Sequence, residues 1–234
     1  MSEPAVSEHH LVVARTARWY RVGGGTDGRG PVETVWLVLH GYGDSAERFA
    51  RACAPLAGPG RLVVAAEALS RFYVQPPASS ASGAAHAAAR VGASWMTRED
   101  RAAEIADYVA YLDALYASVS AAARGATWRV LGFSQGVATA ARWTALGAAP
   151  VARLVLWGGD LPGDLDLEAP AVRARLAAAR PVFVAGERDE AVPPAVVEAG
   201  AARLARHDIG ARLLQHAGGH RLDRALLAEL AEEP

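Results

Sequence analysis

Gly132-Phe133-Ser134-Gln135-Gly136 is the stretch on which the reading of this chain turns. Before it, Thr127-Trp128-Arg129-Val130-Leu131 is short and partly β-branched, and predicts a buried strand. After it, Val137 to Leu146 predicts a helix closed by Gly147. Strand, sharp turn, helix is the setting in which a serine is pushed into a strained backbone with its hydroxyl exposed. A Cβ at either flanking glycine would collide with neighbouring backbone in so tight a turn. The competing reading is an ordinary glycine-rich turn with serine as its N-cap. The rest of the chain must decide between them.

Outward from that turn, strands and helices alternate. Val35-Trp36-Leu37-Val38-Leu39 is a fully apolar run suited to a central parallel strand. Asp44-Ser45-Ala46-Glu47 resembles a capping box that opens a helix through about Leu56, with Asp44 as a capping residue. Further strands are expected at 61–66, 153–157, 181–185 and 211–214. Helices are expected at about 170–179, from Pro193-Pro194 to about Gly210, and from about Leu222. Thr97-Arg98-Glu99-Asp100 should cap another helix. Its apolar positions Ile105, Tyr108, Val109, Leu112, Leu115, Tyr116 and Val119 fall on one face, which makes them core. At the N-terminus, 11–14 and 19–22 read as strands, followed by a glycine-rich turn at 23–30. Residues 76–94, rich in Ala, Ser, Gly and Pro, read as a long loop with the potential to act as a lid. The expectation is one α/β domain over residues 1–234, with residues 1–33 as an N-terminal appendage of strands and turn. A mostly parallel sheet is covered by helices on both faces, and no large cap domain fits.

Composition narrows the function. The formal net charge is −1, which argues against charge-driven binding to nucleic acid or anionic membranes. Lysine is absent, so Schiff-base and Walker-A chemistry are excluded. Cys53 is the only cysteine, and its helical-looking surroundings read as core rather than nucleophile. Residues 1–10 are polar and acidic without an apolar signal segment, and no apolar run is long enough to span a membrane. A cytoplasmic protein is expected.

In a sheet of this kind ligands bind beyond the carboxyl ends of the strands. Four polar clusters directly follow strands: His40 to Asp44, Ser134, Gly186 to Asp189, and Ala217 to His220. Ser134, Asp189 and His220 come in the order nucleophile, acid, histidine. A serine hydroxyl needs a base to take its proton as it attacks. The base needs a buried carboxylate to fix its tautomer and stabilise the imidazolium. Asp160, also just past a strand, is the rival acid, and His216 is a weaker candidate base. His40 reads as a brace for its turn. The amides of Tyr42 and Gln135 are the candidate oxyanion donors, the second favoured by the dipole of the helix it opens.

Together, His40-Gly41-Tyr42-Gly43-Asp44, Gly132-Phe133-Ser134-Gln135-Gly136, the Gly186-x-x-Asp189-x-x-Val192-Pro193 run and Gly219-His220 resemble the carboxylesterase/phospholipase family of α/β-hydrolases that includes acyl-protein thioesterases. The resemblance spans about residues 34–230. It implies hydrolysis of carboxylic esters or thioesters by a Ser134-His220-Asp189 triad, with Tyr42 and Gln135 at the oxyanion. Val137 stands where a second glycine is common, Ala66-Glu67 where a proline-containing stretch is usual, and Ser94-Trp95-Met96 lacks the aspartate of the family's Trp-Phe-Asp. Arg71-Phe72-Tyr73 and the Ala/Ser-rich loop lie where acyl-binding elements often sit, which makes Tyr73 a candidate substrate contact, and Trp95 reads equally as a pocket-lining residue or a core tryptophan. The expected substrate is a small-molecule ester of small to medium acyl length, and no metal or cofactor is required. The other readings are a non-catalytic scaffold for a small hydrophobic ligand and an amidase or peptidase.

Overall fold

A computed structural model describes residues 5–24, 31–75 and 83–233. Its strands are β1 (Trp19–Gly23), β2 (Thr34–Leu39), β3 (Arg61–Ala66), β4 (Ser70–Tyr73), β5 (Val91–Ser94), β6 (Thr127–Phe133), β7 (Val151–Trp157), β8 (Val182–Gly186) and β9 (Arg212–His216). Its helices are α1 (Ala46–Ala52), α2 (Gly83–Ala88), α3 (Arg101–Ala122), α4 (Gln135–Leu146), α5 (Pro170–Ala178), α6 (Pro194–Ala205) and α7 (Arg224–Glu232).

Seven strands form one sheet in the order β1-β3-β2-β6-β7-β8-β9. All neighbours in it are parallel except β1, which runs antiparallel to β3. The strand order reverses direction between β2 and β6. A crevice therefore opens at their carboxyl ends, where loops leave in opposite directions. His40 and Ser134 are the residues that follow those two ends.

The sheet is apolar on both faces because both are covered. Val35, Leu37, Leu39, Val130, Leu154 and Phe183 pack under α3, α4, α5 and α6. Trp36, Val38, Val63, Leu131, Trp157 and Val184 pack under α1 and α7. This is why β2 and β8 read as continuous apolar runs rather than alternating ones. On α3, Tyr108, Leu112, Leu115 and Val119 are buried, and Ile105, Val109 and Tyr116 pack beside them. The single apolar face expected for that helix is thus present. Cys53 is fully buried, and burial pushes its thiol well above the ordinary range, which suits a core residue. Among the described residues no helix is long and apolar enough to cross a membrane.

Several expectations need correction. Residues 11–14 form no strand. Leu11, Val12 and Val13 are exposed, because β3 spends its free side on residues 19–23 and leaves no partner for them. Residues 5–18 instead run as an extended strap, held by His10 to Asp100 (3.0 Å) and by Arg18 to the buried Glu67 (2.5 Å). The stretch read as a loop at 76–94 contains α2 and β5, and β5 pairs with β4 as an antiparallel hairpin outside the main sheet. Residues 76–82 of that stretch lie outside the described residues, as do 25–30 of the glycine-rich turn and 1–4 of the N-terminus. Ser45, not Asp44, is the N-cap of α1. The Asp44 carboxylate accepts from the Ser45 N–H and from Arg48. On α3 the N-cap position is Asp100, without a side-chain cap; Glu104 instead reaches back to the Thr97 N–H.

Candidate active site

The turn at Ser134 is built by exclusion. A Cβ on Gly132 would run into the Gly136 carbonyl and Ala140, and one on Gly136 would run into the carbonyl of Leu39. The two glycines let α4 start immediately on the end of β6 and let the turn press against the end of β2. Between them Ser134 adopts φ 54° and ψ −120°. That conformation costs a non-glycine residue about 1–3 kcal/mol and lifts its side chain out of the sheet. The serine is fixed there by its own N–H to the Trp157 carbonyl, 2.9 Å away, and by its carbonyl, which accepts from the Val137 N–H at 2.9 Å. Val137, at the place of the second glycine, fills the space beside Gly159, where any Cβ would strike it.

The histidine arrives on the loop after β9. His220 Nε2 lies 3.0 Å from Ser134 Oγ, and its Nδ1 lies 2.8 Å from Asp189 Oδ2. The Asp189 side chain is only 2% exposed. Its other oxygen accepts from the Ala191 and Val192 N–H groups at 3.0 and 2.8 Å. Those bonds satisfy the buried carboxylate and aim Oδ2 at the imidazole. The acid and histidine loops are stitched together as well: Arg188 N–H donates to the Gly218 carbonyl at 3.0 Å, and Glu187 N–H to the His216 carbonyl at 2.9 Å. Phe133 lies against the His220 ring with centroids 4.8 Å apart, limiting its rotation.

The rivals sit elsewhere. Asp160 is exposed, whereas the carboxylate that meets His220 Nδ1 is that of Asp189, at 2.8 Å. His216 is buried against Trp157 (5.5 Å between centroids), with Nδ1 accepting from the Gly218 N–H. Burial lowers its pKa from the ordinary histidine value, more than Asp223 raises it. His40 is fully buried: Nδ1 donates to the Gly41 carbonyl (2.7 Å) and Nε2 accepts from Ala68 N–H (3.2 Å). Burial again lowers its pKa. It is a neutral brace under the turn, as expected.

Tyr42 and Gln135 flank Ser134 from the two sides of the crevice. The Tyr42 turn is held by Asp44 N–H to the Gly41 carbonyl and Gly43 N–H to the Ala93 carbonyl, the latter at 2.9 Å. Gly41 faces Ser134 closely; a Cβ there would sit 3.1 Å from the serine Cβ. Gln135 is the first residue of α4, so its N–H has no acceptor within the helix.

The two residues expected at the substrate sit in different settings. Trp95 is a packing residue: it is 3% exposed, and its indole N–H donates to the His40 carbonyl at 2.8 Å. The cavity it borders, about 640 Å³ between the N-terminal strap and α3, includes none of Ser134, Asp189 or His220. Tyr73 and Phe72 point to opposite faces of the hairpin, since side chains alternate along a strand. Phe72 meets Tyr42, with ring centroids 5.0 Å apart, and Tyr73 is exposed. The alternation in Arg71-Phe72-Tyr73 carried that information, but only once the segment was known to be a strand.

The fold is shared with proteins of low sequence identity. Acyl-protein thioesterase 2 of Zea mays is 16% identical, with a TM-score of 0.68 over 93% of this chain and 97% of its own. Esterase PE8 is 20% identical, with a TM-score of 0.66 over 93% and 97%. A carboxylesterase from Mesorhizobium loti is also 20% identical, with a TM-score of 0.66 over 93% and 95%. No curated protein sequence matches the chain. A family model described as serine hydrolase (FSH1) matches residues 32–225, most of the chain and every element around Ser134, so this chain belongs to the FSH1 serine hydrolase family.

Proposed function

We propose that this serine hydrolase cleaves small-molecule carboxylic esters, thioesters included, through an acyl-enzyme on Ser134. The observation that carries the reading is the unbroken line Ser134 Oγ, His220, Asp189, at 3.0 and 2.8 Å. His220 Nε2 takes the hydroxyl proton as Oγ bonds to the carbonyl carbon. The buried Asp189 holds Nδ1–H and stabilises the imidazolium that results. The carbonyl oxygen gains negative charge between the Tyr42 and Gln135 amides, which stabilise it. His220 then passes its proton to the leaving alcohol or thiol. In the second half, His220 activates water against the acyl-enzyme and returns the proton to Ser134 as the acid departs. These groups supply every proton transfer and charge the cycle needs.

Ser134→Ala is expected to lower kcat on p-nitrophenyl esters by about 10³ or more. A fluorophosphonate probe should label the unaltered protein at Ser134 and leave the variant unlabelled. Wild-type turnover in Ser134→Ala would overturn the reading. A series of p-nitrophenyl esters and acyl thioesters of graded length then gives the preferred acyl group. Comparison with the matching amides separates an esterase from an amidase.

A further inference from the structure

The β4–β5 hairpin lies outside the main sheet, yet it touches both sides of the crevice through consecutive residues. On one side Ala93 exchanges two backbone bonds with the Tyr42 turn: Gly43 N–H to the Ala93 carbonyl at 2.9 Å, and Ala93 N–H to the Asp44 carbonyl at 2.8 Å. The approach there is so close that a Cβ on Gly92 would overlap the Gly43 carbonyl. On the other side, the next three residues hold the side chain of Gln135. Its Nε2 donates to Ser94 Oγ (3.0 Å) and to the Met96 carbonyl (2.8 Å). Its Oε1 accepts from the Trp95 N–H at 3.1 Å. Ser94 Oγ closes the ring by donating to the Met96 carbonyl at 2.9 Å.

We propose that Gln135 acts through its side chain as a positioning residue: residues 93–96 form a bracket that fixes the spacing between the Tyr42 and Gln135 amides. The proposal rests on the reading of those amides as the oxyanion donors. Space-filling alone would not require a carboxamide here, since a methionine has similar reach. What the carboxamide adds is direction, because both its donors and its acceptor are engaged by one short segment. Direction is needed because the Ser134–Gln135 peptide follows a residue at φ 54° with no side-chain cap on α4. Strained backbone keeps its place only when its surroundings over-determine it. The indole N–H of Trp95, bonded to the His40 carbonyl, ties the same bracket to the start of the Tyr42 turn. The Ser94-Trp95-Met96 segment thus serves the site from beneath, without touching substrate.

Oxyanion donors act most strongly on the tetrahedral state, so a slackened bracket affects turnover more than substrate binding. The test is Gln135→Met, which keeps the backbone N–H and removes the side-chain bonds to Ser94, Trp95 and Met96. For p-nitrophenyl acetate, kcat is expected to fall about ten- to a hundredfold, with KM within about twofold. The thermal transition should remain cooperative, and the pH at which kcat/KM falls on the acid side should stay in place, because the triad is untouched. Wild-type kcat overturns the proposal, and so does a parallel change in kcat, KM and pH profile, which marks general disruption. Should Gln135→Met fail to fold, Ser94→Ala removes one corner of the ring. It is expected to lower kcat about threefold or more at constant KM, and an unchanged kcat overturns the proposal. Ser134→Ala run alongside keeps the two ideas apart. Activity in that variant defeats the catalytic reading, whereas a dead Ser134→Ala with a fully active Gln135→Met defeats only the bracket.

Discussion

Ser134 and Asp189 are useful residues only because their neighbours leave them one choice. Asp189 has one oxygen committed to two backbone N–H groups and the other to His220. Asp189→Asn preserves the shape but presents either a donor or a neutral acceptor to Nδ1, so the imidazole loses its tautomer and its counter-charge. We expect kcat to drop by about 10³–10⁴ with little change in melting temperature, read by steady-state hydrolysis and a thermal scan. Asp160→Asn, on an exposed residue apart from the Ser134-His220-Asp189 line, should stay within about twofold of the original kcat, and a large loss there would favour Asp160 as the acid. Gly136 tests the turn itself. Gly136→Ala pushes a methyl into the Leu39 carbonyl, and backbone on both sides resists. About 1–3 kcal/mol of destabilisation is expected, with reduced turnover, measured by urea unfolding and initial rates.

The elements show where local sequence carries the fold and where it stops. Buried strands such as Val35 to Leu39 announce themselves because both faces are covered and every residue is apolar. The strand–turn–helix at Ser134 is equally plain, since its glycines have a local steric cause. The meeting of Ser134, Asp189 and His220 was legible because each follows a strand, and parallel strands deliver their ends to one edge. Residues 11–14 misled for the opposite reason: β-branched residues favour a strand, but a strand exists only with a partner, and pairing is not local. The β4–β5 hairpin was illegible because Val91-Gly92-Ala93-Ser94 has little β propensity; its register comes from the Tyr42 turn and from Gln135, distant in sequence. Trp95 was ambiguous for a similar cause, as nothing near it names the His40 carbonyl as its acceptor. Trp95→Phe keeps most of the apolar contact and leaves that buried carbonyl without its donor. We expect a loss of about 1–3 kcal/mol by urea unfolding. A variant as stable as the original would mean that the His40 carbonyl finds another partner.

At the scale of the whole molecule, two buried histidines other than His220 are expected to link stability to pH. His40 and His216 each use one ring nitrogen to accept a backbone N–H, from Ala68 and Gly218, at 3.2 and 3.1 Å. Protonating that nitrogen would break the bond and bury a charge, and burial accordingly lowers both pKa values. The unfolded chain takes these protons at about pH 6.5, the ordinary histidine value, whereas the folded chain resists until lower pH. Below about 6.5 the unfolded state therefore binds more protons, and stability falls as pH falls toward the folded pKa of each group. Above that value the contribution is complete. Each histidine can add a slope of at most about 1.4 kcal/mol per pH unit within its window. His216 is the cleaner test, since His40 braces the Tyr42 turn directly. Urea unfolding of His216→Gln between pH 7.5 and 5 should show a shallower loss of stability than the original protein, even if the variant starts lower at pH 7.5. Parallel curves would mean that His216 takes up its proton equally in both states, and the link between this loop and pH would be lost.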